Sequence, residues 1–244
     1  MLKDSQDAFG HEIKDYFEDK SGWEIIERND GFFTSGFGPG MYFLNYQEWS
    51  NSEREAIQYA RGKVLDIGCG AGRHSLYLQE QGLDVLGTDV SPLAIEVCRK
   101  RGLKKAQVLA LTQIGRKLGT FDTILMLGNN FCLAGNVKRA RWLLNRFYGM
   151  TTDSALIIAQ TRDPYNTTLQ EHLDYHAHNR ELGKMSGESR LRVRYKKYVT
   201  PWIDFLMVSR DEMIDLLEGT RWEVKSFLGE GESLYIAVIG KREA

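Results

Sequence analysis

The chain is poor in cysteine and has no long apolar run. Three cysteines occur among 244 residues, widely spaced and without a C-x-x-C pair, which argues against a disulfide framework or a zinc knuckle. The charged amino terminus lacks the apolar stretch of a signal peptide, and no later segment reaches about eighteen uninterrupted apolar residues. These absences predict a cytoplasmic protein without a membrane partner.

Charge of either sign is not in excess. Lysine and arginine number 32 against 33 acidic residues, for a formal charge of −1, so no chain-wide attraction to nucleic acid or an anionic membrane is expected. Nucleic acid is therefore disfavoured as a partner, and any basic binding surface must be local. Hydrophobic residues make up 42% of the chain, enough for a sizeable buried core.

Short β-branched runs alternate with amphipathic helical runs through the middle of the chain. This pattern is typical of an α/β fold, a parallel sheet with helices on both faces. Helices are predicted over residues 73–81, 92–101 and 137–148, and Ser209 with Glu212 predicts a capping box for a further helix. The last two strands, WEVKSFL and SLYIAVIG, should form an antiparallel hairpin at the edge of a seven-stranded, mostly parallel, Rossmann-like sheet.

Two segments lie outside this alternation. Residues 1–60 combine a charged helix with the loop-like stretch GFFTSGFGPGMYF and are predicted to form an N-terminal cap. Residues 164–208 contain a helix and then two antiparallel strands broken near Pro201, and are predicted to form a lid insertion after the fifth strand. Without internal repeats or a low-complexity linker, a single domain is expected, with its core at 61–163 and the end of its sheet at 209–244.

The stretch VLDIGCGAGRHSLYL, residues 64–78, places three glycines, Gly68, Gly70 and Gly72, between a strand and a helix. In an open parallel sheet this first turn is where the backbone comes closest to a ligand. A dinucleotide fingerprint needs G-x-G-x-x-G, whereas the spacing here is G-x-G-x-G. Asp66 stands just before the first glycine, where a carboxylate opposes a pyrophosphate and suits an ammonium group. A nicotinamide oxidoreductase is therefore disfavoured.

Asp89 closes the second strand in GTDVS, where an acid can accept hydrogen bonds from ribose hydroxyls. The two acids and the bare turn together indicate a nucleoside with a cationic tail. VLDIGCGAGRHSLYL followed by VLGTDVS resembles the first two motifs of class I S-adenosylmethionine-dependent methyltransferases. The resemblance implies S-adenosylmethionine as cofactor, with its methionine portion surrounded by Asp66, Gly68, Cys69, Gly70 and Gly72, its ribose on Asp89 and its adenine beside Val90.

The chain departs from this family after the third strand. The family commonly places an acid there to hold the adenine amine, whereas this sequence reads VLALTQIG. The backbone near Ala110 and Leu111, or the hydroxyl of Thr112, is the alternative contact.

The fourth strand ends in LGNNFCLAG, which is similar to the G-N-S-F segment of glycine N-methyltransferase-like enzymes. The resemblance places Gly128 at the cofactor and Asn129 and Asn130 close to the methyl acceptor, with asparagine in place of serine. It favours a small-molecule substrate. The alternative is that the two asparagines only cap the next helix through their side-chain oxygens.

A sulfonium methyl is already activated, so such an enzyme mainly aligns the acceptor lone pair with the breaking bond and excludes water. A base is needed only if the acceptor carries a proton. The candidates are His172, His176 and His178 in EHLDYHAHNR, and His176 is named here as the catalytic candidate. The segment lacks the glutamate of H-E-x-x-H and a nearby cysteine, so no metal is predicted. The alternative is a solvated helix face with incidental histidines.

Two further segments leave alternatives open. In RLRVRYKK, alternation places Arg190, Arg192, Arg194 and Lys196 on one face of a strand. These cations suit an acidic small substrate or an RNA backbone, or they protect an exposed edge strand. In the N-terminal cap, aromatic side chains form a wall over the cofactor or pack in the core of the cap; they are Tyr42, Tyr46 and Trp49.

The leading hypothesis is methyl transfer from S-adenosylmethionine to a small molecule, with nitrogen as the favoured acceptor atom. An RNA or protein methyltransferase and a non-catalytic S-adenosylmethionine-binding protein are the alternatives. The sequence carries no indication of oligomeric state.

Overall fold

Two β-sheets organise the protein, whose computed structural model describes residues 2–232 and 234–243. In chain order the strands are β1 (Ile25–Arg28), β2 (Phe33–Ser35), β3 (Lys63–Ile67), β4 (Asp84–Asp89), β5 (Ala106–Val108), β6 (Phe121–Met126), β7 (Thr151–Arg162), β8 (Glu188–Tyr195), β9 (Tyr198–Val199), β10 (Ile203–Leu206), β11 (Trp222–Leu228) and β12 (Leu234–Lys241). The helices are α1 (Ala8–Phe17), α2 (Asn51–Ala56), α3 (Arg73–Glu80), α4 (Pro92–Lys100), α5 (Val137–Tyr148), α6 (Gln170–Glu181) and α7 (Arg210–Leu217).

The larger sheet has seven strands in the order β11-β12-β7-β6-β3-β4-β5. Strands β3 to β7 pair in parallel, whereas β12 is antiparallel to both β7 and β11. This confirms the predicted α/β fold with an antiparallel edge hairpin. Because β3 lies between β4 and β6, the chain order reverses there, and the crevice beyond the carboxyl end of β3 is where such sheets bind ligands.

Local signals set the helix ends. The Ser91 hydroxyl accepts from the Ala94 amide, which would otherwise have no partner in the first turn of α4. Pro92 occupies the same turn, where its fixed φ angle suits a helix and its missing N–H is not needed. Both residues therefore favour a helix that starts here. Helix α5 has the predicted bounds, and the predicted capping box of Ser209 and Glu212 is present at α7.

The core lies on both faces of the larger sheet. Alternation sends Val64 toward α2 and α3, where it packs with Trp49 and Leu78, and sends Leu65 toward α5 and α7. All four side chains are at most 3% exposed. The sheet is thus buried on both sides and presents its strand ends as a fixed platform.

The smaller sheet joins the N-terminal cap to the lid. Its order is β10-β8-β1-β2 with β9 on β8, and every pair is antiparallel. The pairing of β8 with β10 confirms the two antiparallel lid strands. The expected loop was wrong, because the glycine and aromatic stretch contains strand β2, and the edge-strand alternative was wrong, because β8 is an interior strand. The reason is a pairing with β1, about which local alternation carries no information.

Within the residues that the structure describes, no helix has the combination of length and apolar character needed to cross a membrane.

Candidate functional site

The turn between β3 and α3 is the centre of the site. Gly68, Gly70 and Gly72 have φ angles of 72°, 55° and 83°, a left-handed backbone that side chains with a Cβ adopt at a cost. The amides of Gly68 and Cys69 both donate to the Thr88 carbonyl, at 2.8 and 3.0 Å. The turn is therefore tied to the carboxyl end of β4.

The glycines also leave room for close approach. A Cβ on Gly70 would lie 3.0 Å from the Tyr42 ring, and one on Gly68 would lie 2.7 Å from Nδ2 of Asn130. The N-terminal cap and the loop after β6 thus converge on the same turn. Of the aromatic residues expected over the cofactor, Tyr42 reaches the turn, whereas Tyr46 and Trp49 pack against Tyr77.

Asp89 is held at the edge of this turn. Its two carboxylate oxygens accept from the amides of Gly70 and Ser91, at 3.0 and 2.9 Å. Burial raises the pKa of this carboxyl. Each oxygen retains a lone pair for a hydroxyl donor, and the neighbouring Val90 is 39% exposed, so an exposed apolar surface lies beside two hydrogen-bond acceptors.

Asp66 and Cys69 lie beneath the turn rather than on its open side. Asp66 is 2% exposed and accepts from the Ser75 hydroxyl at 2.6 Å, and burial raises its pKa to about 6. The Cys69 sulfur lies 3.8 Å from that of Cys98, whose thiol donates to the Gly70 carbonyl. The Cys69 thiol therefore contacts Cys98 in the interior of the protein.

The segment after β5 narrows the possible adenine contacts. The Leu109 amide donates to the Asp89 carbonyl at 2.8 Å, which ties this segment to β4. The Ala110 amide is already used by Gln113 Oε1. The backbone of half-buried Leu111 and the exposed Thr112 hydroxyl remain as the predicted contacts.

Residues 128–130 form a rigid loop beyond β6. The amides of Gly128 and Asn129 both donate to Gln160 Oε1 at 2.6 and 3.2 Å. Asn129 has a φ of 65°, and its Oδ1 accepts from the Cys132 thiol. A Cβ on Gly128 would meet nothing within 4 Å, so open space borders this loop.

Asn130 clamps that loop onto the glycine turn. Its amide nitrogen donates to the carbonyls of Ile67 and Gly68 at 2.9 and 2.8 Å. The capping alternative was wrong for both asparagines, because Asn129 makes no side-chain cap and α5 is capped by Asn136. The supporting role of Gln160, which is 2% exposed, was not predicted from the sequence. The available signal was a polar residue at the end of the apolar strand ALIIAQ.

The lid histidines are not equivalent. His176 is 5% exposed and its ring packs edge-on against Tyr165, whereas His172 bonds to the Thr167 hydroxyl and His178 is exposed. A wholly solvated histidine face was therefore wrong, and burial lowers the pKa of His176, which favours the neutral imidazole that a base requires. In the described ranges, no group of three or more His, Cys, Asp or Glu residues is placed to hold a metal.

The basic strand β8 is matched by acids. Arg192 donates from Nε and Nη2 to the two carboxylate oxygens of Glu27, each at 2.6 Å, and Arg194 donates from Nε to the same carboxylate. Lys196 bonds Asp15, and Arg190 lies 3.9 Å from Asp204. An acidic substrate or RNA would thus compete with partners already in place.

The part of the chain that contains the glycine turn and residues 128–130 is similar to known methyltransferases. Residues 64–151 match the family model described as a methyltransferase domain. A glycine/sarcosine N-methyltransferase of Halorhodospira halochloris is 30% identical over 107 residues, 41% of this chain and 40% of the relative. One from Aphanothece halophytica is 28% identical over 139 residues, 52% of each. The matched regions thus span about half or less of these relatives.

A solved structure extends the likeness beyond the core. The S-adenosylmethionine-dependent methyltransferase from Bacteroides fragilis, crystallised with S-adenosyl-L-homocysteine, covers 100% of this chain and 98% of its own, at a TM-score of 0.84 and 24% identity. The fold over the whole chain is therefore similar to that of this structure.

Proposed function

We propose that this chain is a class I S-adenosylmethionine-dependent methyltransferase that methylates a small molecule, with nitrogen as the favoured acceptor. The residues present fit the cofactor. Three left-handed glycines provide bare backbone, Asp89 offers carboxylate oxygens for the ribose, and exposed Val90 offers an apolar surface for the adenine.

One observation carries the choice of acceptor class. The side-chain amide of Asn130 donates to the carbonyls of Ile67 and Gly68. Residues 128–130, which resemble the acceptor segment of glycine N-methyltransferases, therefore border the glycine turn. Gln160 fixes the same loop from β7. A small acceptor held at Asn129 would lie next to the methionine portion, and the relatives named glycine/sarcosine N-methyltransferases support an amine there.

The protein's own part in the reaction is alignment and exclusion of water. S-adenosylmethionine supplies a methyl group activated by its sulfonium, so no covalent enzyme intermediate is required. Asn129 orients the acceptor, and Asp204 of the smaller sheet lies against Gly135, in the segment that follows β6. If the acceptor is an ammonium group it must lose a proton before its lone pair can attack, and neutral His176 is the proposed base.

The test is product analysis by mass spectrometry. The protein is incubated with S-adenosylmethionine and with glycine, sarcosine, other small primary and secondary amines, and small oxygen and sulfur acceptors. We expect S-adenosylhomocysteine and one methylated amine to form in equal amounts, and neither to form with a Gly70→Val variant. Salt-sensitive transfer to RNA or protein instead would establish the polymer alternative, and binding without transfer to any acceptor would establish a non-catalytic role.

A further inference from the structure

Two carboxyl groups are buried together in the N-terminal cap. Glu12, on α1, is 0% exposed, and Glu24, the residue before β1, is 3% exposed. The Glu24 amide donates to Oε1 of Glu12 at 3.0 Å, and a Cβ on Gly36 would lie 1.7 Å from Oε1 of Glu24. The two side chains are therefore packed between α1 and the loop that follows β2.

One oxygen of each carboxyl has no donor among the residues that the structure describes. The two atoms are Oε2 of Glu12 and Oε2 of Glu24. Two ionised carboxylates can only accept hydrogen bonds, whereas one proton held between them makes one side chain a donor to the other. Burial, this hydrogen bond and the charge of Glu24 raise the pKa of Glu12 to about 9. A single shared proton therefore accounts for both unpartnered oxygens.

The pair is connected to the glycine turn through the segment that follows the loop. Oε1 of Glu24 accepts from the Gly38 amide at 3.3 Å, and the next four residues form a 3-10 helix that ends at Tyr42. The Tyr42 ring lies 3.0 Å from the position of a Cβ on Gly70. Burial is the main cause that raises the pKa of Tyr42, and the charges of Glu12 and Glu24 come next. The pair is therefore close enough to act on the residue that contacts the turn.

We propose that Glu12 and Glu24 share one proton and are positioning residues that hold Tyr42 over the glycine turn when S-adenosylmethionine is bound there. This inference rests on the proposed function, because it requires the cofactor in the turn. Loss of the shared proton would leave two negative charges buried side by side, where they repel each other and lack water. The carboxyl groups should then separate and release Gly38, so cofactor affinity should fall when the pair ionises.

Other titratable and charged side chains surround the pair on α1, β8 and the side of the glycine turn. They are Asp15, Tyr16, Tyr42, Asp89, Tyr195 and Lys196. The Asp15 carboxylate accepts from both Tyr195 and Lys196. Burial raises the pKa of Tyr195 above the ordinary value of 10 and that of Tyr42 well above it. Both of these tyrosines are thus neutral at pH 9, and ionisation of the pair there is not masked by them.

The first test is carboxyl-carbon NMR of glutamate-labelled protein, titrated from about pH 5 to 10. The signals of Glu12 and Glu24 are assigned by their loss in Glu12→Gln and Glu24→Gln. We expect the wild-type pair to release its last proton near pH 9. In either variant the remaining glutamate should ionise well below that pH, because an amide donates without a proton to lose. Ionisation of both wild-type side chains at neutral pH would overturn the shared proton.

The second test is calorimetric titration with S-adenosylhomocysteine over the same pH range. Above pH 9 the wild type should lose affinity by up to about tenfold per pH unit, the limit for one coupled proton. Glu12→Gln should keep the affinity of the wild type at neutral pH and lose this decline. Glu55→Gln, which changes an exposed glutamate on α2, is the matched control and should follow the wild type. Titration of the ligand amine is common to all three proteins, so their difference reports the pair.

The outcomes separate positioning from structural support. Parallel affinity profiles in the wild type and Glu12→Gln would overturn the positioning role and leave the proposed function intact. If Glu12→Gln does not fold, the same comparison is made with Glu24→Gln, which keeps a side-chain oxygen for the Gly38 amide. A wild type that binds no S-adenosylhomocysteine at neutral pH would remove the proposed function and this role together.

Discussion

Asp89 accepts a hydrogen bond from the glycine turn and is the proposed contact for the ribose hydroxyls. Replacing it with alanine should weaken S-adenosylhomocysteine binding by about 1.5 to 3 kcal/mol, because charge-assisted hydrogen bonds to the ribose are lost. Calorimetry measures the effect, and thermal unfolding checks that the fold persists. Asp84→Ala, at the opposite end of the same strand and exposed, should leave affinity unchanged. Unchanged affinity in Asp89→Ala would remove the ribose assignment.

Substitutions at Gly70 and Gly82 distinguish the effect of a filled binding site from the effect of backbone strain alone. Gly70→Val should abolish S-adenosylhomocysteine binding, since a side chain there meets Tyr42 and occupies the close-approach turn. Gly82 has a similar positive φ of 87° with nothing within 4 Å of a Cβ. Gly82→Val should therefore lose stability yet retain binding in the same calorimetric assay. Normal binding by Gly70→Val would place the ligand elsewhere.

Asp66 should make stability depend on pH. Its folded pKa of about 6 lies above the ordinary 3.8, so the folded state holds a proton that the unfolded chain has released between these values. Stability should fall as pH rises through this window, by roughly 3 kcal/mol at full ionisation. Asp66→Asn, which can still accept from Ser75, should lose this dependence. Denaturant titrations from pH 4 to 8 measure it, and parallel profiles would contradict it.

At the scale of elements, the pairing of β1 with β8 depends on Glu27. Arg192 is the main cause that lowers the pKa of Glu27 to about 2, with Arg194 second. This stabilisation is present above the ordinary value of 4.5 and is lost as pH falls toward 2. The double variant Arg192→Gln, Arg194→Gln should therefore have a lower Tm at pH 7, and its difference from the wild type should shrink in acid.

The same double variant distinguishes support from substrate contact. S-adenosylhomocysteine affinity should be unchanged, and Arg190→Gln, which loses only a long contact with Asp204, should barely change Tm. A raised acceptor KM together with an unchanged Tm would instead restore an acidic substrate at these arginines.

Elements with local signals could be predicted, and those with distant partners could not. Ser91 with Pro92 and Ser209 with Glu212 define helix starts within four residues, so the sequence alone was sufficient. Strand β1 pairs with β8 across 165 residues at Glu27 and Arg192. Nothing in either segment specifies that partner, which is why the sequence predicts a loop at β2 and leaves an exposed edge as one alternative for β8.

At the scale of the whole molecule, the N-terminal cap should respond to the cofactor. Tyr42 lies on Gly70, and Asp7 accepts from the Ser91 hydroxyl at 2.8 Å beside Asp89. Ligand binding stabilises whatever packs on the bound state, so S-adenosylhomocysteine should slow amide exchange in α1 and residues 39–46. Hydrogen-exchange mass spectrometry measures this, with α7 as the reference segment. Protection confined to the glycine turn would show that the cap is uncoupled.

In the candidate site, as in the fold, residues with a local sequence signal could be predicted, whereas residues brought together by packing could not. The turn glycines and Asp89 follow from motif spacing. The contributions of Tyr42 and Gln160 depend on which segments converge at the carboxyl edge, and that convergence is a property of packing. Asn130 is an example. The sequence predicts that this residue lies close to the methyl acceptor, whereas its hydrogen bonds hold the loop after β6 against the glycine turn.

The smaller sheet has a consequence for how this protein could have diversified. Its strands come from before and after residues 64–151, which match the methyltransferase family model, with β1 and β2 on one side and β8 to β10 on the other. A change in either segment must be matched by the other, as Glu27 must match Arg192. The smaller sheet would then be inherited as two coupled pieces of sequence around a constant centre, and chimaeras between relatives should fold stably only when both pieces come from the same parent.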